Sequence, residues 1–385
     1  MLRRLRWVAP LAITALALTA CSGETGDTEE AENTEISTQA DEALAELVGQ
    51  VLAKGPRGEN PEPASVADLT DEEVEQIREM GATAAIVMHY GGNDWANAQI
   101  AGLRARFDEL GIEVVATTDA NFDPGQQVSD IETVMAMNPD IIVSIPTDPV
   151  ATSAAYQAAA DAGIKLVFMD NVPDGLEAGT DYVSVVSADN FGNGVVSAHL
   201  MAKSLNGSGK IGLIYHEADF FVTQQRYQGF KETIENNYPQ IEIVAERGIS
   251  GPDFAGDAQA VTDAWLTQYP DLDGIWAVWD VPAEGVMAAA RSAGRTDLKI
   301  ATEDLGTNVA IALAKNEMII GLGAQVPYDQ GVTEANLAGG ALLGKTAPPY
   351  VALSALAVTH ENVLEAWEIV FHSPPPAELK DSYVD

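Results

Sequence analysis

The chain has a single cysteine among its 385 residues, at position 21. One thiol excludes an intrachain disulfide and any cysteine-rich metal cluster. Basic residues are also scarce: 20 Lys and Arg face 58 Asp and Glu, for a formal net charge of −38. So negative a surface repels phosphate backbones and excludes nucleic acid as an expected partner. Aromatic residues make up only 6%. The apolar fraction is nevertheless 46%, enough to build substantial cores, so wholesale disorder is excluded. The length suggests two or three ordinary domains.

The N-terminus carries Arg3, Arg4 and Arg6 ahead of a short apolar stretch, Trp7 to Ala20. It is too short for a comfortable membrane span and runs at once into polar sequence. It ends Leu18-Thr19-Ala20-Cys21, which resembles the lipobox of bacterial lipoprotein signals. The resemblance implies that residues 1–20 are a signal peptide and that Cys21 receives the lipid. Such an anchor holds a protein at the membrane surface without a spanning helix. Residues 21–64 are expected as an acidic tether, because Ser22 to Asn33 is rich in Glu and Asp and poor in apolar residues. Within it Ala40–Leu52 is a candidate short helix and Gly55–Pro63 a break. A leading helix over 65–80 follows, with Thr70 as N-cap ahead of Asp71, Glu72 and Glu73.

From Thr83 onward apolar runs alternate with amphipathic stretches. Ala84–Met88, Val114–Thr117, Ile141–Ile145, Leu166–Met169, Ile211–Tyr215, Ile275–Val278 and Lys299–Ala301 read as buried parallel strands. Between them, Ala96, Ile100, Leu103, Phe107 and Leu110 form one helical stripe. The fold class is therefore α/β, with parallel sheets covered by helices and two such domains. Pro374-Pro375-Pro376 is expected to close the ordered part, leaving 372–385 as a tail.

Some motif matches fail on context. Gly339 to Thr346 satisfies the P-loop pattern, but its glycines end a helical stretch and Pro348-Pro349 follows where a helix should start. Gly344 as a helix terminator explains it better. Gly207 to Gly212 matches a dinucleotide fingerprint by letters but precedes a strand instead of following one. No cofactor is implied. The five histidines show no metal-ligand spacing, although His89 and His216 end predicted strands. No Gly-x-Ser-x-Gly elbow is present, so no enzyme is called for.

In parallel α/β sheets ligands bind beyond the carboxyl ends of the strands. The residues there are Asn93, Asp94 and Trp95; Asp170 and Asn171; His216 to Phe221, with Arg226 one turn into the next helix; Trp279 and Asp280; Glu303 and Asp304; and Gln325. Carboxylates accept paired hydroxyl hydrogens, arginine donates to hydroxyl oxygens, and an indole face covers the C–H side of a sugar. The set suits a neutral polyhydroxylated ligand.

This arrangement resembles the type I periplasmic binding-protein family, ribose-binding-like sugar receptors of bacterial ABC importers. The resemblance rests on Asn121-Phe122-Asp123-Pro124-Gly125-Gln126-Gln127, Asn138-Pro139-Asp140, Ser187-Ala188-Asp189-Asn190 and Gln325-Val326-Pro327-Tyr328-Asp329-Gln330-Gly331. It implies two Rossmann-like lobes joined by a three-crossover hinge near Ser187, Ala324 and Ala357. Lobe 1 then takes 80–187 plus 325–356, and lobe 2 takes 188–324 plus 357–371. By the same likeness ligand contacts fall on Asn93, Trp95, Asp170, Asn171, Arg226, Phe254, Trp279, Asp304 and Gln325, with Asp280 added from its strand end. Ribose binders carry arginine where Asn171 stands and asparagine where Trp279 stands, which points away from ribose itself. The implied partners are a small neutral sugar or polyol and the transmembrane subunits of a permease, with the receptor a monomer outside the cytoplasm. The alternatives are an exported carbohydrate-active hydrolase and a sensor presenting ligand to a chemoreceptor or kinase. A lactose-repressor-type regulator would need a basic helix-turn-helix where this chain has an acidic segment.

Overall fold

The computed structural model describes residues 26–218 and 220–384. The signal peptide, Cys21 and the start of the acidic segment lie outside the described residues.

Among the described residues twelve strands form two six-stranded sheets. β1 (Thr83–Met88), β2 (Glu113–Asp119), β3 (Ile141–Ser144), β4 (Lys165–Met169) and β5 (Ser184–Ala188) build most of the first sheet. β6 (Gly209–His216), β7 (Ile241–Ile249), β8 (Gly274–Ala277), β9 (Lys299–Glu303) and β10 (Ile319–Ala324) build most of the second. β11 (Tyr350–Leu353) returns to the first sheet and β12 (Leu356–Val358) to the second. The orders are β11-β5-β4-β3-β1-β2 and β12-β10-β9-β8-β6-β7. All pairings are parallel except β10 with β12. Central strands such as β3 and β8 are buried along their length, and β1 from Ala84 onward, which is why continuous apolar runs encode them.

The helices in chain order are α1 (Gly26–Leu47), α2 (Asp71–Met80), α3 (Asp94–Glu109), α4 (Pro124–Met135), α5 (Ser153–Asp161) and α6 (Asn190–Ser204). They continue with α7 (Phe221–Asn237), α8 (Phe254–Gln268), α9 (Asp280–Ser292), α10 (Thr307–Ala314), α11 (Pro327–Leu342), α12 (Val363–Phe371) and α13 (Ala377–Ser382). They cover both faces of each sheet, and two apolar clusters fill each lobe. The chain passes between lobes three times: after β5, between β10 and α11, and between β11 and β12.

Helices approach closely where glycines meet backbone. A Cβ on Gly102 of α3 would lie 2.1 Å from the Tyr328 carbonyl oxygen of α11, and one on Gly194 of α6 would lie 2.2 Å from the Arg226 carbonyl oxygen of α7. The N-cap of α2 is Thr70, in a reciprocal capping box with Glu73. The P-loop lookalike is the end of α11, with Gly344 at φ 77° just past the C-cap Leu343.

Two segments differ from expectation. The stretch expected as a tether is helical from Gly26 to Leu47, and α1 packs on α6. The C-terminal stretch expected as a tail contains α13, whose Leu379 is fully buried in the second lobe's core. One inward leucine fixes that helix despite the three prolines before it.

Candidate functional site

The carboxyl ends of both sheets face one another across a cleft. Asp170 follows β4 at φ 55° and Asp304 follows β9 at φ 63°. Left-handed backbone at a non-glycine residue costs about 1–3 kcal/mol, and it turns each carboxylate sharply out of its strand. Arg226, 3% exposed, reaches the floor of the cleft from the first turns of α7. Its Nη1 donates to Asp304 Oδ2 at 2.9 Å and to the Val278 carbonyl at 3.1 Å, and its Nε donates to Asn190 Oδ1 at 2.9 Å. Gln325, just past β10, donates from Nε2 to Asp304 Oδ1 at 2.9 Å. Asp170 Oδ1 accepts from Ser187 Oγ at 2.6 Å. Every one of these groups is held by a partner, so the polar floor is rigid before any ligand arrives.

The walls are aromatic. Asn93 caps α3, accepting from the Ala96 amide at 2.9 Å, and so fixes the first turn that carries Trp95. His89 of the first lobe stacks on Phe220 of the second at 5.6 Å with planes 10° apart. Phe122 meets His89 at 4.8 Å and Phe254 at 5.7 Å, and Phe254 meets Trp279 at 4.9 Å. The lobes touch at the cleft mouth as well: Asp94 Oδ2 accepts from both the amide and the hydroxyl of Thr307, each at 2.7 Å. This is a closed arrangement.

Of the ten predicted site residues, seven line the cavity: Asn93, Trp95, Asp170, Arg226, Trp279, Asp304 and Gln325. Three stand behind it. Asn171 turns its amide away to the Pro146 carbonyl at 3.2 Å. Phe254 packs against the back of Trp279. Asp280, at the start of α9, abuts Gly306, where a Cβ would come within 1.9 Å of its carboxylate. Sequence reasoning passed over Tyr90, Phe122 and Thr223; it noted His89, His216 and Phe220 at strand ends without naming them as ligand contacts. The strand-end rule reaches Tyr90, two residues past β1. Nothing in sequence spacing announces that Phe122 meets Phe254, or that His89 meets Phe220, across the lobes.

Burial shapes the charge of the site. It pushes Asp170 up to about 6, against the opposing pull of Ser187 and Arg226. It drives His89 down to about 3 and His216 down to about 4, so both imidazoles are neutral at physiological pH. Glu303, behind Asp304, is pushed up to about 8 by burial, with Ser197 and Trp276 donating to its Oε1. Trp95 Nε1, His89 Nδ1 and Gln325 Oε1 are buried and make no hydrogen bond. Orphaned donors and acceptors side by side suit hydroxyl groups, which can serve either. Among the described residues no group of three or more His, Cys, Asp or Glu could hold a metal ion, and no helix is long and apolar enough to cross a membrane.

Known proteins share this architecture. A protein of Rhizobium meliloti assigned to rhizopine binding is 28% identical over 203 residues, 52% of this chain and 65% of that one. The chain thus spans less than two thirds of that relative. The ribose import binding protein of Bacillus subtilis is 25% identical over 244 residues, 63% of this chain and 76% of that one. Among solved structures, a solute-binding protein of an ABC transporter from Agrobacterium vitis with bound allitol is 25% identical with a TM-score of 0.66, covering 74% of this chain and 98% of that one. The arabinose-binding protein of Geobacillus stearothermophilus gives 25% and 0.65, with coverage of 73% and 98%. The model of the periplasmic binding protein domain matches residues 84–346, and the chain belongs to that family.

Proposed function

We propose that the chain is the substrate-binding component of an ABC importer, taking a small neutral sugar or sugar alcohol between its lobes and passing it unaltered to a permease. The observation that carries this reading is the meeting of Asp170 from one lobe with the Arg226–Asp304 pair from the other and Gln325 at the crossover between them, flanked by Trp95 and Trp279. Charge-assisted hydrogen bonds to hydroxyls in such a closed cleft contribute about 1.5–3 kcal/mol each. The allitol in the Agrobacterium vitis structure is a polyol of the expected kind. Arg226 is already neutralised by Asp304, and Asp170 adds negative charge, so an anionic ligand is disfavoured. By the same reading Cys21 carries the lipid, residues 1–20 are removed, and a monomer works outside the cytoplasm at the membrane face.

Thermal melting against pentoses, hexoses, alditols and tetritols tests the ligand class. A true ligand at 100 times its dissociation constant adds about 2.7 kcal/mol of stability. A flat response to every neutral polyhydroxyl compound contradicts the proposal. Recovery of the bound compound chemically changed would favour a hydrolase.

A further inference from the structure

The segment between α1 and α2 lies before the family match, which begins at residue 84. It runs across the hinge and is tied to both lobes. On the second-lobe side, α1 packs on α6, Lys203 pairs with Asp41 at 2.5 Å, and Gln225 of α7 donates to the Lys54 carbonyl at 2.9 Å. On the first-lobe side, Arg57 Nη2 donates to the Pro173 carbonyl at 3.2 Å, and Glu62 pairs with β11 through Tyr350 and Ala352, each bond 3.1 Å.

Between these ties sits Asp189, 1% exposed, in the first crossover. Its Oδ2 accepts from the Leu52 amide, and its Oδ1 accepts from the Ala53 amide and from Gly192 at the start of α6, all at 2.8 Å. Its own amide donates to the Leu353 carbonyl at the third crossover, also at 2.8 Å. One carboxylate therefore joins the N-terminal segment, two crossovers and the cap of α6. The residues beside it hold the ligand-facing charges. Ser187 donates to Asp170 of one lobe, Asn190 accepts from Arg226 of the other, and Asn190 Nδ2 donates to Ser187 Oγ at 3.1 Å.

We propose that Asp189 is a positioning residue for the cleft, through which residues 48–64 act as a strap that holds the two lobes in the closed geometry. The strap's bonds to both lobes are made together in this arrangement. Rotation of one lobe about the crossovers would stretch them, so the strap biases the hinge toward closure. The inference takes from the proposed function only that closure is the binding-competent state.

The test needs no ligand, so it is independent of what the cleft binds. The Thr307 amide is bonded to Asp94 only where the lobes meet, and hydrogen exchange of the peptide around Thr307 therefore reads closure in the full chain. Asp189→Asn keeps one oxygen for Ala53 and Gly192 but sets an amide donor against the Leu52 amide. The double variant Arg57→Ala with Gln225→Ala cuts the strap's side-chain ties to either lobe without touching Asp189. Exchange around Thr307 is expected to rise at least five-fold in Asp189→Asn and in the double variant, with β3 and β8 unchanged within two-fold. Should Asp189→Asn not fold, the double variant decides alone. Unchanged exchange at Thr307, or acceleration shared equally by β3 and β8, overturns the proposal; the latter marks a merely structural role. For any sugar or polyol that binds the wild type, the ligand's dissociation rate is expected to rise in the same variants.

Discussion

Arg226 Nη1 and Asp304 Oδ2 lie 2.9 Å apart at the floor of the cleft, with side chains 4% and 11% exposed. Arg226→Ala leaves a buried carboxylate with Gln325 as its remaining side-chain partner. Removing one member of a buried pair typically costs about 3–5 kcal/mol of stability. The expected outcome is a lowered melting midpoint together with at least ten-fold weaker ligand binding, equivalent to about 1.4 kcal/mol or more. Calorimetric titration beside thermal unfolding separates the two effects.

Trp95 offers a ring face and an Nε1 that no protein group accepts. Trp95→Ala is expected to weaken binding ten-fold or more, and Trp95→Phe to fall between it and the wild type. Equal affinities for wild type and Trp95→Ala would remove the indole from the site.

The pH dependence of binding follows from Asp170, which titrates at about 6 because it is buried. On the proposed function its ionised form accepts ligand hydroxyls, so affinity is expected to fall as pH drops below about 6 and to be flat above 7. Asp170→Asn should bind more weakly and lose this dependence. Titration calorimetry from pH 5 to 8 checks both.

Glu303 gives a stability effect of definite sign. Its acid form persists in the folded protein to about 8, whereas the unfolded chain ionises near 4.5. The folded state thus holds the extra proton between these values, so this stabilisation is complete below 4.5 and lost as pH rises toward 8. Glu303→Gln is expected to flatten the decline of the melting midpoint between pH 5 and 8. A decline as steep as the wild type's would show that Glu303 is not its source.

Gly194 permits α6 to meet the backbone of Arg226 itself. Gly194→Ala forces the helices apart at a cost of about 1–3 kcal/mol, and it displaces Arg226 from Asp304. Melting should fall and binding weaken together, although residue 194 lines no part of the cleft.

The central strands were legible because strands buried on both faces require apolar residues at every position, as in Ile141-Ile142-Val143 of β3. β7 was not, since its edge position lets Glu242, Glu246 and Arg247 interrupt the run. β5 was hidden by Ser184 and Ser187, buried serines whose hydroxyls find partners that only the folded structure reveals. The polar floor of the cleft followed from one rule about strand ends. The same rule swept in Asn171 and Asp280, because a position past a strand does not say which way its side chain turns. The contact of His89 with Phe220 escaped because lobe contact brings the two rings together, which leaves no periodic trace.

The central claim is that an uncharged, hydroxyl-rich molecule is held between Asp170 and the Arg226–Asp304 pair. Calorimetric titration of the wild type and Arg226→Ala with the compound that raises the melting midpoint most tests it directly. The account predicts one molecule bound per chain, recovered unchanged, with affinity lost at least ten-fold in Arg226→Ala. Equal affinity in the two proteins would contradict it.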